Sequence, residues 1–173
     1  MKLFKSIISL VLFLFLFIYA CERNVDQVGA KPVKQVAPPF SLTDLSGNTI
    51  SLNALRGKVV FINFFATWCG ACRSEIPKFA RLYKKYNSQG FEIIGVSLDQ
   101  NEPKMLKRFL EIYQVQYPVV FATRDMIYQY GGISAIPTTV VINQDGIIDQ
   151  MIVGVRSNDV LEKMLARLLK NHG

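Results

Sequence analysis

The sequence predicts an α/β fold in which a mixed sheet is flanked by helices. Two observations predict this class. Apolar runs of strand length alternate with amphipathic segments of helical length, and the last two apolar strands are joined by a hairpin signal, Gln144-Asp145-Gly146. Alternation favours parallel strands linked by helices, whereas a hairpin adds an antiparallel pair. A chain of 173 residues fits one such domain with terminal appendages.

Residues 1–20 have the features of a secretory signal. Two lysines, Lys2 and Lys5, precede an uncharged run rich in Leu, Phe and Ile. The wholly apolar part of this run is shorter than the ~20 residues of a membrane-spanning helix. The following Ile18-Tyr19-Ala20-Cys21 resembles a lipobox, in which the signal is cut before a cysteine that carries a lipid. We therefore expect Cys21 to be the lipid attachment site; an ordinary cleaved signal and an uncleaved anchor are the alternatives, and all three export the domain.

Residues 21–37 predict the lipidated cysteine followed by a flexible tether, because they are polar and show little periodicity. A flexible segment of this length has an r.m.s. reach of about 20–24 Å, enough to hold a domain off a membrane. We expect the folded domain to occupy residues 38–171.

The elements of the domain are predicted in chain order from periodicity and turn residues. Ser41 to Leu52 predicts a β-hairpin with Gly47-Asn48 at its tip, and Asn53 is expected to cap a short helical turn. Further on we expect a buried strand at 58–65, a helix at 70–87, a strand at 91–98, a helix at 102–113, a strand at 117–121, a short helix at 124–130, strands at 138–143 and 147–153, and a last helix to 170.

The charge pattern argues against a nucleic-acid partner. The chain carries 20 Lys and Arg against 13 Asp and Glu; removal of residues 1–20 takes away two lysines and leaves 18 against 13, or +5. These basic residues are scattered, as expected for solvated helix faces. The single histidine, His172, is in the C-terminal tail. We expect a monomer with no cofactor, no metal and no bound nucleic acid.

Cys69 and Cys72 carry the chemistry that the sequence predicts. They follow a buried strand and lie at the predicted start of a helix, where unpaired N–H groups and the helix dipole stabilise a thiolate. Cys72 lies one turn on and can close a small disulfide ring. Because cysteines so close in sequence add little to fold stability, thiol–disulfide exchange explains them better than a structural framework does.

Several motifs around this pair are shared with one protein family. They are Ala37-Pro38-Pro39-Phe40-Ser41-Leu42, Leu55-Arg56-Gly57-Lys58, Asn63-Phe64-Phe65-Ala66-Thr67-Trp68-Cys69-Gly70-Ala71-Cys72-Arg73, Glu75-Ile76-Pro77 and Gly132-Ile133-Ser134-Ala135-Ile136-Pro137-Thr138-Thr139. With these motifs, residues 37–169 resemble the TlpA/ResA-like family of membrane-tethered thiol–disulfide oxidoreductases. The resemblance implies a thioredoxin-like fold with an N-terminal β-hairpin and a central helix–strand insertion at about 101–121.

The resemblance also implies roles for individual residues. Cys69 would be the exposed nucleophile that forms a mixed disulfide with a client, and Cys72 the buried resolving thiol. Trp68 would shield the pair and shape the docking surface. Pro137 would be a cis-proline packed against the pair, with the backbone of Ile136 pairing with the client peptide.

Asn63 leaves the proton acceptor unassigned. Cytosolic thioredoxins have a buried aspartate here, six residues before the nucleophile, which helps to deprotonate the resolving cysteine. Asparagine cannot accept that proton. Asp99 and Glu102, after the second core strand, are the candidates, and a solvated loop acid is the alternative for each.

The predicted function is that of a membrane-tethered disulfide reductase outside the cytoplasm. It would take electrons from a membrane thiol carrier and pass them to oxidised clients, with apo-cytochrome c a client by family analogy. A disulfide oxidase or isomerase is the alternative, because direction depends on potential. A thiol peroxidase would need Thr or Ser at Ala66, and a copper chaperone would need CxxxC and a distant histidine.

Overall fold

The computed structural model describes residues 35–100 and 102–170. Within them lie eight strands, four α-helices and two 3₁₀ turns. The strands are β1 (Gln35–Val36), β2 (Ser41–Thr43), β3 (Thr49–Ser51), β4 (Val59–Phe65), β5 (Phe91–Ser97), β6 (Val119–Phe121), β7 (Thr138–Ile142) and β8 (Ile147–Val153). The helices are α1 (Gly70–Tyr86), α2 (Pro103–Ile112), α3 (Arg124–Gln129) and α4 (Asn158–Lys170), and the 3₁₀ turns are Leu52–Leu55 and Asn87–Gln89.

The main sheet is mixed, as predicted. Its six strands have the order β1-β8-β7-β4-β5-β6. β5 is parallel to β4 and β6, whereas β7 is antiparallel to both β4 and β8. β2 and β3 form the predicted separate hairpin. In the register of the central strands, Asn63 lies opposite Gly95 of β5 on one side and Thr139 of β7 on the other.

The central strand β4 is buried along its whole length because the sheet is covered on both faces. On one face Phe61 packs edge-on against Phe79 of α1. On the other face Phe64 packs against Tyr130, which follows α3. Burial of a side chain of this size contributes about 1.5–3 kcal/mol, so the packing of Phe79 on Phe61 holds α1 against β4.

The folded domain begins earlier than the predicted boundary at residue 38. β1 pairs antiparallel with β8, and Ala37 is buried. Gln35 to Ala37, which the sequence assigns to the tether, are therefore part of the domain. The predicted signal, Cys21 and the remaining tether lie outside the described residues.

The short turn after the hairpin differs from the prediction. It is a 3₁₀ turn that begins at Leu52, so Asn53 lies inside it rather than at its cap. The predicted helices and strands are otherwise present, with ends that move by one or two residues. Among the described helices, none is both long and apolar enough to cross a membrane.

Candidate active site

A disulfide joins Cys69 and Cys72 where β4 gives way to α1. Cys69 is the residue immediately before the helix, and its Sγ accepts a hydrogen bond of 3.1 Å from the backbone N–H of Cys72. The sulfur thus occupies the position of a capping side chain at the positive end of the helix dipole. In the reduced protein the same N–H and dipole favour a thiolate at Cys69.

The two sulfur-bearing residues differ in access to solvent. Cys72 is 1% exposed, as the resolving role requires, and Cys69 is 8% exposed. Cys69 is less exposed than predicted, because the disulfide turns its sulfur towards Cys72 and the loop before β7 lies against it. Trp68, directly before the pair, is 68% exposed and presents a large apolar surface beside it.

The loop before β7 forms a wall opposite the disulfide. The Ile136–Pro137 bond is cis, as the resemblance implied. The carbonyl oxygen of Ile136 lies 3.8 Å from Cys69 Sγ. This is a contact and not a hydrogen bond in the disulfide, since neither sulfur carries a hydrogen. The wall is tied to the end of β8 by the N–H of Gly154, which donates to the carbonyl of Pro137 at 2.8 Å.

A group of buried polar side chains lies where α1 packs on β4 and β7. Asn63 of β4 donates through Nδ2 to Glu75 Oε2 of α1 at 3.3 Å and to Thr139 Oγ1 of β7 at 3.0 Å. The other oxygen of Glu75 accepts from the backbone N–H of Arg156 at 3.4 Å. Asn63 therefore holds a carboxyl group inside the domain.

Glu75 is the acid that the predictions missed. It is 2% exposed, and this burial raises the pKa of its carboxyl above the usual 4.5; the Arg156 N–H, the Lys78 charge and the Asn63 amide oppose the rise in part. Glu75 follows Cys72 by three residues, so the two side chains lie on the same side of α1. The signal was present in the sequence, since Glu75 falls within the apolar stripe of that helix.

Asp99 is buried, and its hydrogen bonds go to the loop that carries Cys69. Its carboxylate accepts from the Thr67 N–H at 3.1–3.2 Å, from the Thr67 hydroxyl at 2.7 Å and from the Ser97 hydroxyl at 2.6 Å. These bonds fix the chain two residues before Cys69. Glu102 is exposed at the residue before α2, so it does not belong to the group of buried polar side chains. Neither Asp99 nor Glu102, the two predicted acids, lies on α1 on the same side as Cys72, as Glu75 does.

Comparisons with known proteins agree with this geometry. A family model described as the AhpC/TSA family matches residues 33–151. The thiol-disulfide oxidoreductase ResA of Bacillus thuringiensis (strain Al Hakam) is 33% identical over 150 residues, which is 87% of this chain and 83% of that protein. ResA of Geobacillus kaustophilus (strain HTA426) is 36% identical over 137 residues, with 79% and 78% covered.

A solved structure extends the agreement to the fold. The thioredoxin-family thiol:disulfide interchange protein of Chlorobium tepidum TLS matches with a TM-score of 0.74 and 35% identity, over 82% of this chain and 99% of that one. The fold is thus thioredoxin-like, as the motifs implied. The chain belongs to the AhpC/TSA family of the thioredoxin superfamily and is, within it, a ResA-like thiol–disulfide oxidoreductase.

Proposed function

We propose that this oxidoreductase works as a reductase of disulfides in exported proteins. The asymmetry of the pair is the observation that supports exchange through Cys69, and the reducing direction is proposed from the resemblance to the TlpA/ResA-like family. Cys69 Sγ lies at the start of α1 and faces the Ile136 carbonyl at 3.8 Å, whereas Cys72 is buried behind it. A client polypeptide can therefore approach only the first sulfur, and its backbone can lie along the Ile136–Pro137 wall.

In the first step the Cys69 thiolate attacks one sulfur of the client disulfide. The client S–S bond breaks, a Cys69–client disulfide forms, and the second client sulfur leaves as a thiolate that takes up a proton. The helix N-terminus that caps Cys69 stabilises the attacking thiolate before the reaction.

In the second step Cys72 resolves the mixed disulfide. Its thiol loses a proton, and its sulfur attacks Cys69 as a thiolate. The Cys69–Cys72 bond forms, the Cys69–client bond breaks, and the client leaves with both of its sulfurs reduced. The client gains two electrons and two protons, which a thiol donor must later restore to the pair.

Glu75 is the proposed acceptor of the Cys72 proton. It is the buried carboxyl on the same side of α1 as Cys72. Because its pKa is raised, its proton affinity is closer to that of a thiol than the proton affinity of an exposed glutamate is. Asn63, which cannot accept a proton itself, orients this carboxyl through a hydrogen bond of 3.3 Å.

The setting of the reaction is proposed from the N-terminal sequence. The charged and apolar residues 1–20 and the lipobox-like cysteine Cys21 support export and a lipid anchor, with the tether holding the domain off the membrane. A membrane thiol carrier would be the electron donor, and apo-cytochrome c, which has paired cysteines, is a proposed client.

Reduction of insulin by dithiothreitol tests the activity. The wild-type domain should accelerate precipitation of the insulin B chain, and Cys69→Ser should abolish the acceleration. Turnover of hydrogen peroxide or retention of copper, without insulin reduction, would contradict the proposal and favour a peroxidase or a copper chaperone.

Metabolic labelling with a radioactive fatty acid tests the anchor separately. We expect label on the full chain and on Cys69→Ser, and none on Cys21→Ser. Label that persists in Cys21→Ser, or absence of label from the full chain, would refute lipidation.

A further inference from the structure

Tyr117, in the segment between α2 and β6, has a buried hydroxyl group that the reaction described above does not use. The residue is 4% exposed, and its hydroxyl has no hydrogen-bond partner among the described residues. Such a group loses its bonds to bulk water and is seldom left unpaired in native proteins. An interaction is therefore expected at this hydroxyl.

The ring of Tyr117 lies beside the buried polar group. A Cβ added to Gly95 would lie 3.2 Å from a ring carbon of Tyr117, so the ring covers this glycine. Gly95 is the register partner of Asn63 on the neighbouring parallel strand, and register partners face the same side of a sheet about 4.8 Å apart. On that side, Asn63 binds Glu75. Tyr117 and Glu75 thus share one layer.

The electrostatics of Tyr117 agree with this placement. Burial raises the pKa of its hydroxyl, and the charge of Glu75 raises it further. The carboxyl and the hydroxyl are therefore within electrostatic reach of each other, although no direct hydrogen bond joins them. A single water needs two or more polar partners to be held inside a protein, and these two groups can supply them.

We propose that the Tyr117 hydroxyl donates a hydrogen bond to the Glu75 carboxylate through a bound water, and that it thereby positions the proton acceptor of Cys72. Tyr117 is a positioning residue and does not touch the reacting sulfurs. The inference rests on the proposed role of Glu75. It gives the central helix–strand segment a part in the proton transfer.

The other groups that face Glu75 set the background for a test. From α1 this is Lys78, from β4 Asn63, and from the loop before α4 Arg156. Cys72 lies one turn before Glu75 on α1. Removal of the Tyr117 hydroxyl leaves all four in place. It removes one donor to the carboxylate, so the charged form of Glu75 becomes less stable.

Tyr83 offers a matched control. Its ring packs edge-on against that of Tyr117 with centroids 5.9 Å apart. Its hydroxyl, however, interacts with Glu92, and burial together with this carboxylate raises the pKa of Tyr83 to about 12. Tyr83→Phe therefore removes a hydroxyl from the same aromatic pair without removing a donor to Glu75.

The experiment is an NMR titration of the Glu75 carboxyl carbon in the oxidised domain labelled with ¹³C-glutamate. Glu75→Gln identifies the resonance, and the disulfide keeps both cysteines from titrating. We expect Tyr117→Phe to raise the Glu75 midpoint by about one pH unit, a tenfold change in proton affinity, and Tyr83→Phe to leave it unchanged. An unchanged or lowered midpoint in Tyr117→Phe, or an equal rise in Tyr83→Phe, would overturn the proposal.

Two further readouts separate the inference from the proposed function. The acidic limb of the pH profile of insulin reduction should move up in Tyr117→Phe, and this move should vanish in the Glu75→Gln background. The urea midpoint at pH 8 should fall in Tyr117→Phe; a rise would show that the hydroxyl is unpaired and would overturn the inference. A domain that fails to reduce insulin refutes the proposed function, whereas the titration still decides the role of Tyr117.

Discussion

Glu75→Gln should change how the stability of the oxidised domain depends on pH. Burial raises the pKa of Glu75, so the folded domain holds a proton at pH values where the unfolded chain has lost it. The stability from this proton is fully present below the unfolded value of 4.5 and is lost as pH rises through the folded pKa. Within this window the free energy of unfolding falls by up to about 1.4 kcal/mol per pH unit.

Glutamine at position 75 removes this pH dependence. It also lowers the free energy of unfolding by an amount that does not depend on pH. The two Glu75 oxygens accept from two donors, the Asn63 amide and the Arg156 N–H. A glutamine has one carbonyl oxygen, so one of these bonds is lost, at about 0.5–1.5 kcal/mol. Wild type should therefore be the more stable protein at pH 4, and its advantage should shrink or reverse by pH 8.

Urea unfolding of both oxidised proteins between pH 4 and pH 8 measures this difference. The cysteines do not titrate in the disulfide, and the other ionisable groups are common to both proteins. A constant difference between wild type and Glu75→Gln across this range would refute the argument that Glu75 is buried with a raised pKa.

In the reduced protein, Glu75→Gln should also slow the release of client from the mixed disulfide by about 10²-fold or more.

Three other substitutions, with Glu102→Gln as a control for one of them, test contacts of the site. Cys72→Ser should accumulate a mixed disulfide between Cys69 and a client, seen by mass spectrometry under non-reducing conditions; its absence would contradict the resolving role of Cys72. Asn63→Leu loses its bonds to Glu75 and Thr139, so urea stability should fall by about 2–4 kcal/mol at pH 7.5. The loss should be smaller at pH 4.5, where more of Glu75 is protonated; an equal loss at both pH values would contradict the link to Glu75. Asp99→Asn should cost about 1–3 kcal/mol by weakening the bonds to Thr67, whereas the exposed Glu102→Gln should cost little; loss of the acidic limb of the activity profile in Asp99→Asn would show that Asp99, and not Glu75, accepts the proton.

The parts of the site that are local in sequence could be predicted from it. Cys69 and Cys72 are read from their spacing and from the strand that precedes them. The helix start that caps Cys69 depends only on neighbouring residues, and the Ile136–Pro137 wall was inferred from the family motif around it. The cysteine pair and the helix start are each complete within a few residues of the chain, whereas the place of the wall opposite Cys69 came from the resemblance alone.

The parts that depend on packing between distant elements could not. Asn63 is conspicuous as a polar residue in an apolar strand, but its partner Glu75 is decided by the way α1 lies over the sheet. Asp99 has the position of a loop acid, and only the return of the chain beside Thr67 shows that it braces the segment before Cys69. β1 is two residues long and exists because β8 offers it an edge.

The central claim is that the Cys69–Cys72 pair donates electrons to client disulfides. Its most direct test is the midpoint potential of the pair, measured by equilibration of the domain with glutathione or dithiothreitol buffers. A reductase requires a potential closer to that of thioredoxin, about −270 mV, than to that of a strong oxidant, and we predict such a value. A potential near −120 mV, that of a strong disulfide oxidant, would contradict the reductase and assign the same fold and the same two sulfurs to disulfide formation.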